Sequence, residues 1–371
     1  MLRWLLRASM LYLSNADVER LLDMPSCLDA LRAGYRDLAR SDAAYIPRID
    51  IYAPTGREDD YYRWGSMSGV CRTTGVVAVR IKSDVVYWTE QKTEEKYCIE
   101  PGTYSGIILC YSIRNGEPLA LMNDGYLQHM RVGACAGLGA DELARKDADV
   151  LGLLGSGGMA RTYLEAIAQV RKLRQVKVYS LTASHRTAFA ETMTEKLGIE
   201  IVPVDSPEKA VRGSHVVATA TDSIAATFDA AWLEAGSHVT CVTRRELSNA
   251  IIDRADITVQ LGMASVPPSC PLPGLEWPNA SMAAYITGQP EERARIPGSE
   301  ESQGTQWTNL VDIQAGRDTG RTSPEQVSLF VNTGTQGLQF AAVAGRVYQL
   351  ARERGLGQAM PVEWFLQDIR D

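Results

Sequence analysis

The sequence predicts an α/β protein, a doubly wound parallel sheet joined to a second, mainly antiparallel α+β region. Three observations carry this. From Val150 onward, short β-branched runs alternate with helical patterns, the rhythm of a parallel sheet covered by crossover helices. Between residues 45 and 121 the texture differs: alternating and β-branched segments are split by glycine, and Asn115-Gly116 sits where a hairpin turn belongs. Finally, an apolar run, 150–154, is followed by Gly155-Ser156-Gly157-Gly158-Met159-Ala160 and then by a helical pattern with Leu164, Ile167 and Ala168 on one face.

The elements follow in order. Ser14 offers an N-cap for a helix carrying Val18, Leu21 and Leu22. A second helix follows Pro25-Ser26, with Leu28, Leu31, Tyr35 and Leu38 at helical intervals. Antiparallel strands are expected at 49–52, 76–81, 106–113 and 119–122, and a helix within 123–147. Parallel strands are expected at 150–154, 176–179, 199–202, 215–219, 238–242 and 257–260. A helix over about 184–197 lies among them, and Ser206 with Pro207 opens a shorter one. Residues 263–318 are rich in Pro, Gly, Ser and Glu, which denies them long helices. The final helix, 334–354, is rich in alanine and glycine, as close packing against another element requires.

Composition narrows the function. The 371 residues, 45% hydrophobic and 22% charged, suit a globular chain of about two domains. A net charge of −7 argues against a nucleic-acid partner, which selects a basic surface. The cysteines, at 27, 71, 98, 110, 135, 241 and 270, form no Cys-x-x-Cys pair, so reduced thiols and a cytoplasmic location are expected. Histidines 129, 185, 215 and 238 have no metal-ligand spacing, and no metal is expected. No apolar run approaches the roughly 18 residues of a membrane span. Arg3 and Arg7 interrupt the first nine residues, which makes a poor signal peptide; Met10 reads as the more natural start, with a short extension ahead of it.

Strand, Gly-x-Gly-x-x-Ala and helix in that order form the context of a dinucleotide fingerprint. Gly155 permits the tight turn, Gly157 lets the backbone approach a pyrophosphate, and Ala160 lets helix and strand close up. The N–H groups of the new helix then face the phosphates, so Ser156, Gly158 and Met159 complete the expected loop. NAD sites carry an acidic residue at the end of the next strand. Here that strand is followed by Ser180-Leu181-Thr182-Ala183-Ser184-His185-Arg186, without a carboxylate. The hydroxyls of Ser180 and Thr182 with Arg186 suit a 2′-phosphate, so NADP(H) is expected over NAD(H).

With these pieces assembled, the chain resembles the ornithine cyclodeaminase/mu-crystallin family over nearly its full length. The matching pieces are Ile46-Pro47-Arg48, Val79-Arg80-Ile81-Lys82, Asn115 to Ala120, His129 to Ala134, the glycine loop, Ala218-Thr219-Ala220-Thr221 and Ser328 to Gly334. The resemblance implies a substrate-binding and dimerisation domain, 10–133 with 325–371, and a nucleotide-binding Rossmann domain, 134–324, with an insertion at 263–318. It implies that Arg48 and Arg131 bind a substrate carboxylate, that Lys82 lies in the pocket and manages a proton, and that Thr219, Ala220 and Thr221 line the cofactor. A homodimer is expected, closed by the sheet of residues 45–121 and the last helix.

The implied activity is NAD(P)-dependent hydride transfer to or from the C=N or C–N bond of a small amino or imino acid. The alternatives are a cyclodeaminase-type lyase that recycles its NAD, and a mu-crystallin-like protein that binds NADPH and a ligand. The sequence also departs from the family. The cyclodeaminases carry an aspartate ahead of a Glu-Leu pair, where this chain has Thr243-Arg244-Arg245 before Glu246-Leu247. Two arginines there repel a cationic side chain, so a substrate with an acidic or neutral side chain is expected over ornithine. The stretch 86–100 is unlike the family's loop, 263–318 is enlarged, and the family's aspartate in the last helix is replaced near Gln339.

Overall fold

The structure is a computed structural model and describes residues 9–262, 284–286, 289–296 and 307–369. It opens with β1 (Ser9–Leu13), α1 (Asn15–Leu21) and α2 (Met24–Ala39). Ser14 caps α1 in a reciprocal capping box with Asp17. Asp23 caps α2, one turn's reach ahead of the expected start, by accepting the Ser26 N–H at 2.8 Å. Then come β2 (Ala43–Tyr45), β3 (Ile49–Pro54), β4 (Asp60–Cys71), β5 (Val76–Trp88), β6 (Glu94–Cys98), β7 (Glu100–Pro101), β8 (Ser105–Ser112) and β9 (Pro118–Asn123). The β8–β9 turn uses Gly116 at φ 75°, as its Asn-Gly pair requires.

Helix α3 (Gly125–Leu143) leads into β10 (Val150–Leu154), α4 (Gly158–Val170), β11 (Gln175–Tyr179), α5 (Ala183–Leu197), β12 (Glu200–Pro203), α6 (Pro207–Val211) and β13 (Val216–Thr219). After these lie β14 (His238–Cys241), α7 (Asn249–Arg254), β15 (Ile257–Gly262), β16 (Ala284–Ile286), α8 (Pro290–Arg293), β17 (Thr308–Asn309) and α9 (Leu310–Gln314). The described chain closes with β18 (Ser328–Gly334), α10 (Gln336–Arg354) and β19 (Gln358–Pro361).

Two sheets result, in the predicted fold class. One is mixed, in the order β16-β3-β4-β5-β8-β9-β1-β19, with antiparallel ladders at its centre. The other is parallel, in the order β12-β11-β10-β13-β14-β18-β15-β17. Strand β4 has no counterpart in the sequence-based reading, because Gly65 and Gly69 break its apolar pattern. Both glycines serve close approach: a Cβ at Gly69 would lie 2.4 Å from the Gly337 carbonyl carbon of α10.

The expected domain boundaries need correction in two places. Residues 328–334, grouped with the substrate region, form a central strand of the parallel sheet between β14 and β15. Leu329, Phe330 and Val331 are buried there on both faces, which an unbroken apolar run favours. The boundary at 133/134 falls inside α3, a single helix that serves both regions. Met130, Cys135 and Leu138 join one core, while Val132, Ala136 and Ala140 join the other. Gly133 and Gly137 let α3 lie against α4, where Cβ atoms would come within 2.5 Å of the Thr162 carbonyl carbon and 2.9 Å of the Ala166 Cβ. Residues 1–8 and most of 263–306 lie outside the described residues, so the expectations for the N-terminal extension and for most of the insertion do too. No helix among the described residues is long and apolar enough to cross a membrane.

Candidate active site

Successive side chains on a strand face opposite ways, and β5 puts Arg80, Lys82 and Asp84 on one face. That face is the buried one: the three residues are 2%, 6% and 3% exposed. Asp50, Gly65, Lys82 and Gly106 form one row across β3, β4, β5 and β8. The two glycines make room in it. A Cβ at Gly65 would lie 2.4 Å from Asp50 Oδ1 and 2.6 Å from Lys82 Cε, and one at Gly106 would overlap the Asp124 carboxylate.

The charges in this face are mostly paired. Arg48 donates to both oxygens of Asp50, at 3.0 and 2.7 Å. Arg63 donates twice to Asp84, at 3.0 and 2.9 Å, and once to Glu94 at 2.8 Å. Arg80 pairs with Asp124. Burial, with Arg48 and Arg63 alongside, holds the Lys82 amine well below the ordinary lysine range. Burial pushes Asp50 upward, but Arg48 and Lys82 outweigh it and keep its carboxyl well below the usual range.

Arg131, from α3, lies 4.9 Å from the centre of the Phe340 ring, and Arg80 lies 5.7 Å from the same ring. Its hydrogen bonds go to neutral amides, Gln128 and, at 2.7 Å, Gln339. Among the described residues no carboxylate pairs with it. Burial pulls its pKa down to about 10, which leaves it charged at neutral pH.

The second half of the site is the C-terminal edge of the parallel sheet. Strand order reverses at β10, with β11 and β12 on one side and β13 and β14 on the other, the switch point where such folds bind ligands. Gly155 has φ 117°, and a Cβ there would lie 2.2 Å from the Ala220 carbonyl oxygen. Gly157 starts α4 with no side-chain cap, and nothing lies within 4 Å of where its Cβ would be. Gly158 is crossed by the His129 imidazole, 2.9 Å from a built Cβ. Ala160 is fully buried in the core beneath the loop, with Met159 packed at its edge. First-turn N–H groups without a protein acceptor, in an open glycine loop, fit a phosphate.

Ser156 Oγ donates to Ser180 Oγ at 2.9 Å, Arg186 donates to the Ser180 carbonyl at 2.8 Å, and Thr182 stands at the N-cap position of α5 without a side-chain cap bond. At the other side of β10, Thr219 and Ala220 are buried at the end of β13. The Thr221 N–H and hydroxyl donate to Glu246 Oε1, at 2.7 and 2.8 Å. Val242 and Thr243 N–H groups donate to its other oxygen at 3.1 and 3.0 Å. Glu246 thus ties together the chain ends leaving β13 and β14. Burial pushes its pKa up to about 7, against the pull of those donors.

The two halves face each other. The β5–β6 hairpin crosses to the loop after β13, where the Glu94 N–H donates to the Asp222 carbonyl at 3.0 Å and the Ile224 N–H to the Lys92 carbonyl at 2.8 Å. Arg245, after β14, reaches Glu94 at 3.4 Å. The charged face of the mixed sheet therefore fronts the ends of β13 and β14.

The residues singled out in the glycine loop, after β11 and after β13 come together on this edge. Arg48 and Lys82 share one cluster, but Arg48 is already committed to Asp50. Arg131 lies on the same side beyond Arg80, with no direct bond to Lys82. Sequence reasoning missed Asp50, Arg63, Asp84, Asp124 and the holding role of Glu246. The available signal was the charged alternation Arg80-Lys82-Asp84 on a strand whose other face, Val79, Ile81 and Val85, is apolar.

An uncapped glycine loop at the switch point of a parallel sheet defines a dinucleotide-binding α/β protein with a buried, cationic pocket against that loop. More particularly, the chain belongs to the ornithine cyclodeaminase/mu-crystallin family, whose model matches residues 9–355. An uncharacterized cyclodeaminase of Sinorhizobium fredii is 30% identical over 259 residues, 68% of this chain and 72% of that one. The alanine dehydrogenase of Archaeoglobus fulgidus is 29% identical over 94% of this chain and 97% of its own. Among solved structures, Thermococcus litoralis Δ1-pyrroline-2-carboxylate reductase, in complex with NADH and L-proline, matches with a TM-score of 0.75 and 25% identity, over 95% of this chain and 100% of that one.

Proposed function

We propose that the protein is an NAD(P)-dependent oxidoreductase acting on the C=N or C–N bond of a small amino or imino acid. The observation that carries this is Lys82: an amine buried among arginines, of depressed pKa, facing the cofactor edge of the parallel sheet. The relatives named alanine dehydrogenase and pyrroline-2-carboxylate reductase support the same chemistry. The glycine loop, Gly155 to Ala160, would hold a nicotinamide dinucleotide, which would supply or accept hydride at the substrate's α-carbon. Arg131, whose guanidinium has no acidic partner among the described residues, takes the α-carboxylate. In reduction Lys82 gives its proton to the substrate nitrogen; in oxidation the free amine takes it back. Reduced-nicotinamide absorbance followed over a panel of amino and imino acids, with ammonia measured in parallel, tests this. The oxidoreductase consumes cofactor in step with substrate. Ammonia release without net cofactor change would make it a lyase, and neither signal would leave a binding protein.

The cofactor is NADP(H) by preference. No carboxylate follows β11 between Ser180 and Ser184, and Arg186 is fixed beside the Ser180 carbonyl and over the Tyr179 ring at 5.8 Å. With Lys209 it borders a hollow of about 310 Å³. Arg186→Ala should raise KM for NADP(H) about tenfold or more, the worth of a charge-assisted hydrogen bond, and leave KM for NAD(H) close to its starting value. Equal effects on both cofactors would refute the assignment.

The working unit is a homodimer. On the face of the mixed sheet opposite the charged pocket, Ile51, Ile107, Tyr111 and Tyr12 are 37 to 39% exposed in the single chain, with Ile81 and Leu109 between them. A monomer seldom leaves a sheet face of this kind uncovered, and a second copy covers it. Light scattering at micromolar concentration should give twice the chain mass of 40.6 kDa; a monomer would contradict it. Five of the six described cysteines are buried, which agrees with a reducing, cytoplasmic setting.

A further inference from the structure

The loop after β14 divides its two arginines. Arg244 folds back on its own segment, donating to the Leu247 carbonyl at 2.6 Å and to Asn249. Arg245 turns instead toward the mixed sheet. Its side chain is 12% exposed, and its only hydrogen bond among the described residues is the long contact with Glu94 at 3.4 Å. Its Nε and Nη1 are buried and have no partner among the described residues. A guanidinium in that state is costly, since buried donors are ordinarily satisfied and Arg presents a fork that matches a carboxylate.

Glu94 cannot neutralise it alone. Its nearer partner is Arg63 at 2.8 Å, which also holds Asp84, the carboxylate beside Lys82 on the same strand face. Across the pocket, Asp50 is taken by Arg48 and Asp124 by Arg80. The carboxylates Asp50, Asp84, Glu94 and Asp124 thus answer Arg48, Arg63 and Arg80, with Glu94 shared with Arg245 and also faced by Lys96, and with Asp50 and Asp84 also facing Lys82. Among the described residues, Arg131 and much of Arg245 have no carboxylate of their own. One substrate carboxylate at Arg131 leaves positive charge over on the other side of Lys82.

Resting on the oxidoreductase reading, we propose that Arg245 is a specificity-determining residue that binds a second carboxylate, on the side chain of the substrate. The substrate class is an α-amino or α-imino dicarboxylate, its α-carboxylate at Arg131 and its distal carboxylate at the free edge of Arg245. Such a molecule fills the unpaired fork and brings the pocket's charge close to balance. A cationic side chain meets Arg245 unfavourably, and a neutral one leaves it unsatisfied, the asymmetry by which buried polar sites reject poor substrates.

The test uses two readouts. Binding of succinate and of butyrate, which share a four-carbon length but differ in one carboxylate, is measured by calorimetry on the wild-type protein and on Arg245→Gln. Oxidation of L-aspartate and L-glutamate is compared with that of L-alanine and L-norvaline. The wild type should bind succinate at least about tenfold more tightly than butyrate, and Arg245→Gln should erase that margin. The acidic-to-neutral ratio of kcat/KM should fall about 100-fold in Arg245→Gln, and Arg245→Lys should keep part of it. A latch that merely held the hairpin would weaken succinate and butyrate alike and leave the ratio where it was; that result, or no succinate margin in the wild type, overturns the proposal. An Arg245-dependent margin for succinate with no amino acid oxidised would uphold the subsite and overturn the redox reading. Oxidation confined to neutral amino acids would do the reverse.

Discussion

Lys82→Ala is expected to lower kcat about 10³-fold, the middle of the range for a positioned general acid or base. Cofactor affinity, measured by quenching of protein fluorescence on titration with NADPH, should stay close to that of the wild type, because Lys82 belongs to the mixed sheet and not to the glycine loop. The pH profile gives the sharper check. Burial and two neighbouring arginines hold the Lys82 amine well below the ordinary lysine range. Imine reduction needs the protonated amine, so kcat/KM in that direction should fall as pH rises through the lowered pKa. Amino acid oxidation needs the free amine, so its rate should climb through the same pH and then level off. Both limbs should vanish in Lys82→Ala. A variant retaining a tenth of wild-type kcat, with its pH limbs intact, would remove Lys82 from the chemistry.

Arg131→Met should separate function from stability. The guanidinium is buried against Phe340, and its hydrogen bonds go to two glutamines. Without a bound carboxylate that arrangement is a charge held out of water, and replacing such a group with an apolar one of similar volume is often neutral or stabilising. We therefore expect kcat/KM to fall about 10³-fold, mainly through KM, as befits the loss of a charged contact that leaves a carboxylate without its partner. The melting temperature should be no lower than that of the wild type. Gln339 keeps its donated bonds to the Gly334 carbonyl and Thr335, and these preserve the start of α10. Unchanged kcat/KM would free Arg131 of the binding role. A steep fall in melting temperature would make it a structural residue.

Local signals carried a large part of the fold. The Ser14 and Ser206 caps, the Asn115-Gly116 turn and the glycine loop each depend on a few neighbouring residues, and each stands where the sequence reading put it. The same holds for the parallel sheet's first five strands, of which β10, β13 and β14 are short apolar runs buried on both faces. The expected cofactor residues lie within three strand–turn segments, so their grouping at one sheet edge follows from the strand order β11-β10-β13.

Tertiary structure decided what sequence-distant residues do to one another. Strand β4 was hidden because glycine reads as an interruption, whereas Gly65 and Gly69 admit Lys82, Asp50 and the backbone of α10. Strand β18 entered the parallel sheet rather than the substrate region because β14 and β15 left a gap between them that a strand with the apolar centre Leu329-Phe330-Val331 could fill. The faces of β5 were the least legible. Alternation alone would put Val79, Ile81 and Val85 inside and Arg80, Lys82 and Asp84 in water, and only the family resemblance moved Lys82 into a pocket. The fold buries the charged row instead: Arg48 just ahead of β3 and Arg63 on β4 pair with its carboxylates, and Arg131 of α3 lies over Phe340 of α10 beside it. The sequence by itself determined the family, the class of fold and the glycine loop after β10, since those rest on residues adjacent in the chain. Only the tertiary structure decided that Lys82 is a buried amine among arginines and that Arg131 and Arg245 are cations without full counter-charge, because burial and charge balance are sums over neighbours that the chain order does not record.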